Sequence, residues 1–200
     1  MTRPDLTHAP RRFDPSALLT PANLITLTRI AVSPFYIALV VATAPGWLVT
    51  ALWIVLVMSD WVDGTLARKQ GTTRPGAFLD PLADKVLVIG TMVALVAIDV
   101  MWWLPVALIA VRELVISVFR TVLGRRGISV PARNSAKAKT VAQELAVGWA
   151  LLPLTADHRW IASSFLWLAV VLALVSAAQY LFDGSKAYMP AAGASDSARS

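Results

Sequence analysis

The fold and the function of the chain centre on one stretch, Asp60–Asp84, which runs DWVDGTLARKQGTTRPGAFLDPLAD. Four aspartates lie in it as two pairs, Asp60 with Asp63 and Asp80 with Asp84. Residues three or four apart share one face of a helix, so each pair would place two carboxylates on one side. Long apolar runs adjoin both pairs, and carboxylates in such surroundings are functional candidates because they are costly to keep there. Two such helices facing each other would gather four negative charges, which hard cations such as Mg²⁺ or Mn²⁺ would neutralise.

Composition indicates a membrane protein. Of the 200 residues 57% are hydrophobic and only 15% are charged, and the mean hydropathy is +0.65, which is too high for an ordinary soluble domain. The absence of cysteine excludes a disulfide framework, a thiolate metal site and a Cys nucleophile. The net charge is +6, and the basic residues cluster at the ends of apolar segments. This placement favours anionic membrane lipids and phosphate-bearing substrates as partners and predicts no nucleic-acid binding.

Six apolar segments are long enough to cross a membrane as helices, since about 20 residues span a bilayer core. Their predicted limits are 22–43, 47–68, 76–100, 104–123, 137–154 and 160–182. The predicted fold is therefore all-α, a polytopic protein with six transmembrane helices. The predicted divisions are a cytoplasmic tail or short interfacial helix at 1–20, a membrane domain at 21–184 and a disordered tail at 185–200.

The distribution of lysine and arginine predicts the orientation. The three presumed outer turns, near 44–46, 99–103 and 155–159, contain only Arg159, and the other 17 basic residues lie elsewhere. Because cytoplasmic loops carry the excess of basic residues, both termini are predicted to be cytoplasmic. Both aspartate pairs then lie at the cytoplasmic ends of their helices, and the active site faces the cytoplasm. The expected location is the cell (inner) membrane, with several membrane passes.

The spacing Asp60-x2-Asp63-Gly64-x2-Ala67-Arg68-x7-Gly76-x3-Asp80-x3-Asp84 resembles the signature of the CDP-alcohol phosphotransferase family. The loop 69–75 is one residue shorter than the family's, a change that leaves the helical phase of each aspartate pair intact. Flanking residues resemble those of family members that make phosphatidylglycerophosphate. They are Asn23, Thr26 and Arg29, then Arg112, Glu113 and Arg120, then Lys137, Lys139, Thr140 and Gln143.

This resemblance implies an activity and a set of site residues. The expected reaction transfers a phosphatidyl group from CDP-diacylglycerol to glycerol 3-phosphate and releases CMP, in a homodimer that uses two Mg²⁺ or Mn²⁺ ions. It assigns metal binding to Asp60, Asp63, Asp80 and Asp84, and CDP binding to Asp60, Gly64, Ala67, Arg68, Gly76 and Asp80. Asp84 matches the position that also acts as general base. The candidate ligands of the acceptor phosphate are Arg112, Arg120, Lys137 and Lys139.

Simpler interpretations of the same residues stay open at this point. The aspartates could pair with Arg68, Lys69 and Lys85 at the membrane interface. Small residues such as Gly64 could serve close helix packing, Arg68 could be an ordinary positive-inside residue, and the acceptor cations could belong to an ordinary basic inner loop. Alternative functions are a cardiolipin synthase that uses phosphatidylglycerol, a phosphatidylinositol-phosphate synthase, or a divalent-cation transporter. The almost wholly apolar outer halves of the segments argue against a transport pathway.

Overall fold

The computed structural model describes residues 20–70, 73–125 and 134–197, without the side chains at 67–70, 74, 77, 125, 134–136 and 183–197. In these ranges the chain forms six α-helices, one short 3₁₀ turn and no β-strand. The elements are α1 (Pro21–Thr43), α2 (Trp47–Gln70), α3 (Arg74–Ala97), α4 (Trp103–Arg125), α5 (Asn134–Leu151), the 3₁₀ turn Pro153–Thr155, and α6 (Arg159–Ser197). The all-α prediction is confirmed for the residues described.

Helix α1 turns polar side chains inward and apolar ones outward, the reverse of a helix in a soluble protein. Its buried residues recur at helical spacing and are Ala22, Asn23, Thr26, Arg29, Ser33, Tyr36 and Val40. On the opposite side, Phe35 is 77% exposed. Large apolar side chains in contact with water are unfavourable, so this surface is suited to lipid or to another protein. The buried polar stripe of α1 is the surface on which the candidate site is built.

The start of α3 is tied to the start of α1. Thr73 caps α3, and its hydroxyl oxygen accepts a hydrogen bond from the backbone N–H of Gly76 at 3.2 Å. The same oxygen accepts a second hydrogen bond, at 3.0 Å, from the side-chain amide of Asn23 in α1. Pro75 occupies the first turn, where its missing N–H costs nothing. These contacts place the first turns of α3, including Asp80, next to the polar stripe of α1.

The chain divides into two compact units. The first contains α1, α2, α3 and residues Ala150–Asp157, and the second contains α4, α6 and α5 up to Trp149. In the first unit, α1 packs against both α2 and α3. In the second unit, α4 packs against α6 around a buried cluster of apolar side chains from both helices.

Among the described residues, three helical segments are long and apolar enough to cross a membrane, namely Pro21–Thr43, Trp47–Leu66 and Arg159–Phe182. Helices α3, α4 and α5 interrupt their apolar sequence with charged residues that include the candidate ligands. The six-span topology and the cytoplasmic position of both termini therefore stay predictions. Helix α6 continues to Ser197, beyond residue 184, where the sequence predicts the end of the membrane domain. The divisions at 20/21 and 184/185 also stay predictions.

Candidate active site: an acidic cluster and a cationic cluster

Aspartates from α2 and α3 meet at one hydroxyl group of α1. The Thr26 Oγ1 atom lies 3.2 Å from Oδ2 of Asp63 in α2 and 2.9 Å from Oδ1 of Asp80 in α3. Thr26 is fully buried, and Asp63 is only 3% exposed. The two carboxylates, which are 17 positions apart in sequence, therefore lie within hydrogen-bonding distance of the same atom. We call Asp60, Asp63, Asp80, Thr26 and Arg29 the acidic cluster.

Arg29, one turn after Thr26, binds both members of the first aspartate pair. Its guanidinium Nη1 donates to Asp60 Oδ1, and Nη2 donates to Asp63 Oδ2 at 2.5 Å. The Nε atom donates to the hydroxyl of Ser59 at 3.3 Å. The Arg29 side chain is 1% exposed, whereas that of Asp60 is 41% exposed. Asp60 is thus far more accessible to a ligand than Asp63, whose side chain is 4% exposed.

The acidic cluster has an excess of negative charge. The Arg29 guanidinium binds two of the cluster's three carboxylates, those of Asp60 and Asp63, and the third, that of Asp80, lies against the Thr26 hydroxyl. These contacts use one oxygen of each carboxylate. Uncompensated charge is expensive in a site that water reaches poorly, so the cluster favours a further cation. All its anionic donors are hard oxygens, which is the ligand chemistry of Mg²⁺ and Mn²⁺.

The acidic cluster therefore fits a metal ion in its ligand chemistry and its charge, but not in the present arrangement of its side chains. Within the described ranges, no three His, Cys, Asp or Glu side chains are arranged to hold a metal ion together. In this structure the Arg29 guanidinium lies against the carboxylates of Asp60 and Asp63 and supplies the nearby positive charge. Binding of a divalent ion by these residues requires the carboxylates to turn toward it.

The remaining motif residues fall on the same two helices. Asp84 is half-buried and follows Asp80 by one turn of α3. Gly64 is half-buried and follows Asp63 directly on α2. The side chains of Ala67 and Arg68 lie outside the described residues, as does part of the loop 69–75. Their assignment to CDP binding stays a prediction.

Gly76 has a packing reason to be glycine. A Cβ atom at this position would lie 2.5 Å from Asn23 Oδ1 and 3.1 Å from Thr73 Oγ1. The first distance is too short for any real contact, so a side chain would push the α3 cap away from α1. Close helix approach explains this glycine in the structure described, and a role in CDP binding stays a prediction.

In the second unit, Arg112 is a buried link between α4 and α6. Its Nε donates to the carbonyl oxygen of Ala173 at 3.0 Å, and its Nη2 donates to the hydroxyl of Ser176. Nη1 donates to Oε1 of Glu113 at 2.8 Å. Since Arg112 is 9% exposed and uses all three nitrogens in these contacts, it has a structural role besides any role in binding an acceptor.

Glu113 joins Arg112 to α5. Its Oε1 atom also accepts a hydrogen bond from the Lys139 ammonium group, and Lys139 is 7% exposed. We call Arg112, Glu113 and Lys139 the cationic cluster, since it brings two cations to one carboxylate. The other two predicted phosphate ligands are exposed. Arg120 lies over the ring of Tyr180 at 5.4 Å, and Lys137 is exposed near the start of α5.

Sequence reasoning left several of these residues without an assigned role. Thr26, Arg29 and Glu113 stood out in the sequence as residues that resemble those of the family, but nothing in it assigned any of them a ligand or a partner helix. The signal in the sequence that points to such residues is a set of polar side chains at helical spacing within an apolar segment. Gln143, one turn after Lys139, is buried, and its Nε2 atom makes no hydrogen bond within the described part of the chain. The sequence offered no sign of that.

Comparison with known proteins identifies the class of protein that carries these clusters. Residues 19–175 match the sequence profile of CDP-alcohol phosphatidyltransferases. The chain belongs to the CDP-alcohol phosphatidyltransferase family, which confirms the resemblance seen in the spacing of its aspartates. It is therefore a transferase of phospholipid synthesis, and its apolar helices fit a membrane protein. Members of this family generally use divalent metal ions.

Individual relatives share one name, CDP-diacylglycerol–glycerol-3-phosphate 3-phosphatidyltransferase. The protein of this name from Shigella flexneri serotype 5b (strain 8401) is 38% identical over 167 residues. That from Salmonella paratyphi A (strain ATCC 9150 / SARB42) is 40% identical over 169 residues, and that from Escherichia coli (strain K12) is 38% identical over 167. In each case the match covers 80% of this chain and 91% of the relative.

Proposed function

We propose that the chain transfers a phosphatidyl group from CDP-diacylglycerol to glycerol 3-phosphate, which releases CMP and forms phosphatidylglycerophosphate. The family and the shared name of the relatives support this choice of donor and acceptor. The structural observation that carries it is the meeting of aspartates from α2 and α3 at the hydroxyl of Thr26. A substrate with a negatively charged diphosphate needs cations at its site, and this cluster has the charge to hold them.

The proposed cofactor is a pair of Mg²⁺ or Mn²⁺ ions held by Asp60, Asp63, Asp80 and Asp84. Such ions supply neutralisation of the phosphate charge and stabilisation of the leaving group. The residues themselves have separate tasks. Asp63 is buried and Asp80 is half-buried, and both contact the Thr26 hydroxyl of α1, while the side chain of Asp60 is 41% exposed. Because packing already restricts the rotamers of these side chains, little further side-chain entropy is lost when their carboxylates turn toward an ion.

The proposed general base is Asp84. In the reaction, a hydroxyl oxygen of the acceptor attacks the β-phosphorus of CDP-diacylglycerol, a new P–O bond forms, and the bond to CMP breaks. The hydroxyl proton has to leave during this step, and a carboxylate within hydrogen-bonding reach can take it. Asp84 lies one turn beyond Asp80 on the helix that brings Asp80 to the cluster. The nucleotide would be bound by Asp60, Gly64, Ala67, Arg68, Gly76 and Asp80, as the family resemblance suggests.

The phosphate of the acceptor is proposed to bind cations of the second unit. Arg112 and Lys139 both bind Glu113, so two of the proposed phosphate ligands already lie side by side. Arg120 and Lys137 are exposed and can move toward a ligand without breaking a buried ion pair. Guanidinium groups bind phosphate through two parallel hydrogen bonds, which favours Arg120 as the ligand that gives geometric specificity.

The membrane arrangement is part of the proposal. Six transmembrane helices, both termini in the cytoplasm and a homodimer in the cell (inner) membrane follow from the charge distribution and the family resemblance. Three apolar segments of spanning length and many outward-facing apolar side chains support membrane embedding. A cytoplasmic site would be open to soluble glycerol 3-phosphate and to the headgroup of CDP-diacylglycerol.

Release of CMP from the purified protein tests the function. The protein would be given CDP-diacylglycerol with Mg²⁺ or Mn²⁺ and, in separate reactions, glycerol 3-phosphate, inositol phosphate or phosphatidylglycerol. We expect CMP with glycerol 3-phosphate. CMP with phosphatidylglycerol alone would assign the chain to cardiolipin synthesis, and CMP with inositol phosphate alone would make it a phosphatidylinositol-phosphate synthase. No CMP with any acceptor would end the proposal.

A further inference from the structure

The side chain of Thr26 contacts an aspartate from each of the two motif pairs. Its Oγ1 atom lies 2.9 Å from Asp80 Oδ1 and 3.2 Å from Asp63 Oδ2, and it is fully buried. These two carboxylates belong to different helices, α3 and α2. Thr26 therefore links the first aspartate pair to the second, and its position affects how the carboxylates of Asp63 and Asp80 are oriented relative to each other.

A Ser or Thr hydroxyl inside a helix can donate to the carbonyl oxygen one turn earlier. Thr91 of α3 does this, at 2.7 Å from the carbonyl oxygen of Leu87. Thr26 has the same option, since the carbonyl oxygen of Ala22 lies at 3.1 Å, but Asp80 is nearer. A hydroxyl has one hydrogen to donate, and a charged acceptor holds it more strongly than a neutral one.

The partners of Asp63 and Asp80 indicate where that hydrogen goes. Asp63 Oδ2 already accepts a hydrogen bond from the Arg29 guanidinium. For Asp80, the hydroxyl of Thr26 is the hydrogen-bond donor that the structure describes. The arrangement therefore directs the Thr26 hydrogen to Asp80, with Asp63 in contact with the same oxygen.

We propose that Thr26 is a positioning residue of the divalent-cation site, which orients Asp80 of α3 relative to Asp63 of α2. The proposal rests on the metal-dependent function given above. A carboxylate that ligates a metal needs a second partner to fix its rotation, and loss of such a partner typically lowers metal affinity 10–100-fold. Arg29 is that partner for Asp60 and Asp63, and Thr26 is that partner for Asp80.

Thr26 can be tested with little change in shape or charge. Thr26→Val replaces the hydroxyl with a methyl group, and Thr26→Ser keeps the hydroxyl. Thr91→Val is a matched control, because Thr91 is also fully buried in the first unit and its hydroxyl donates to the carbonyl oxygen of Leu87 in its own helix. The probe is Mn²⁺, titrated into metal-free purified protein and followed by the loss of the free-ion electron paramagnetic resonance signal.

We expect Thr26→Val to raise the Kd for Mn²⁺ about 10–100-fold. Thr26→Ser should recover most of the affinity, and Thr91→Val should bind as the unaltered protein does. Wild-type affinity in Thr26→Val overturns the proposal, and so does an equal loss in Thr26→Val and Thr26→Ser, because the hydroxyl would then not be the group that matters. If Thr26→Val cannot be purified, Thr26→Ala replaces it under the same criteria.

The same titration separates this inference from the function on which it rests. If the unaltered protein binds Mn²⁺ and releases CMP but Thr26→Val binds Mn²⁺ equally well, the inference fails and the function stands. If the unaltered protein binds no Mn²⁺ at all, the metal-dependent function fails and the inference fails with it.

Discussion

The acidic cluster of the first unit and the cationic cluster of the second each place like charges close together beside a counter-ion of the opposite sign. In the first, Arg29 compensates part of the charge of Asp60, Asp63 and Asp80. In the second, Glu113 compensates part of the charge of Arg112 and Lys139. Among the contacts that the structure describes, carboxylates outnumber the cation in the first cluster, and cations outnumber the carboxylate in the second. In each cluster the counter-ion fixes the orientation of the charged side chains. The more numerous charge then determines the ligand: a cation for the carboxylates and a phosphate for the cations.

The two clusters differ in how much of the fold depends on them. The contacts of the acidic cluster join side chains to side chains across α1, α2 and α3. In the cationic cluster, Arg112 also binds the backbone carbonyl oxygen of Ala173 in α6. Substitutions in the first unit should therefore change catalysis most, and substitutions of the buried residues in the second should change stability most.

Removal of divalent cations should have the largest effect on CMP release. A small effect would contradict the view that the acidic cluster attracts cations. Chelation of metals is expected to abolish CMP release, because the excess negative charge of the acidic cluster would then repel the diphosphate. Added Mg²⁺ or Mn²⁺ should restore it. CMP release that continues unchanged in excess chelator would mean that the acidic cluster does not bind metal for catalysis.

Substitution of Asp84 should come next. Asp84→Asn is expected to lower kcat at least about 100-fold, since it removes a general base together with a metal ligand. Asp99→Asn, the same chemical change at an exposed turn residue, is the control and should retain activity. Thermal unfolding of both variants should match the unaltered protein. Near-normal turnover in Asp84→Asn would remove Asp84 from its proposed role.

Loss of Glu113 tests the structural side of the comparison. Glu113→Ala leaves the buried cations Arg112 and Lys139 without their shared carboxylate, which should cost about 3–5 kcal/mol of stability. Thermal or denaturant unfolding in detergent measures this. Lys137→Ala, an exposed change in the same unit, should unfold like the original protein. A stable Glu113→Ala variant would show that the cationic cluster does not hold α4 to α5.

The exposed cations should affect acceptor use. Arg120→Ala and Lys137→Ala are each expected to raise the KM for glycerol 3-phosphate roughly 10-fold, because a charged hydrogen bond to phosphate is lost, with kcat much less changed. Tyr180→Phe keeps the ring under Arg120 and controls for the cation–π contact. If the acceptor KM stays the same in both variants, these residues are not phosphate ligands.

The smallest effect is expected at Gly76. Gly76→Ala puts a Cβ atom 2.5 Å from Asn23 Oδ1, so the cap of α3 has to shift, at a cost of about 1 kcal/mol, typical of a single substitution. Gly124→Ala is the control, since nothing lies within 4 Å of its added Cβ atom. Unfolding temperatures distinguish the two. Equal stability of both variants would contradict the packing role of Gly76, and a specific rise in the KM for CDP-diacylglycerol would support nucleotide binding.

Part of this arrangement follows from local rules. The three- and four-residue spacing of the aspartates predicts which carboxylates share a face, because helix periodicity depends only on neighbouring residues. The predicted segments 22–43 and 47–68 lie close to α1 and α2 for the same reason. The role of Asn23 at the α3 cap could not be found this way, because its partner Thr73 lies 50 positions away.

The sequence by itself determined the all-α class, the family and the two acid pairs, since composition, periodicity and motif spacing are properties of short stretches. Tertiary structure alone decided that Thr26 and Arg29 lie against the aspartates, that Glu113 joins Arg112 to Lys139, and that Gly76 packs on Asn23. The physical reason is that such contacts depend on the rotation and axial register of one helix against another. Those are set by the packing of whole helix faces, which no local pattern encodes.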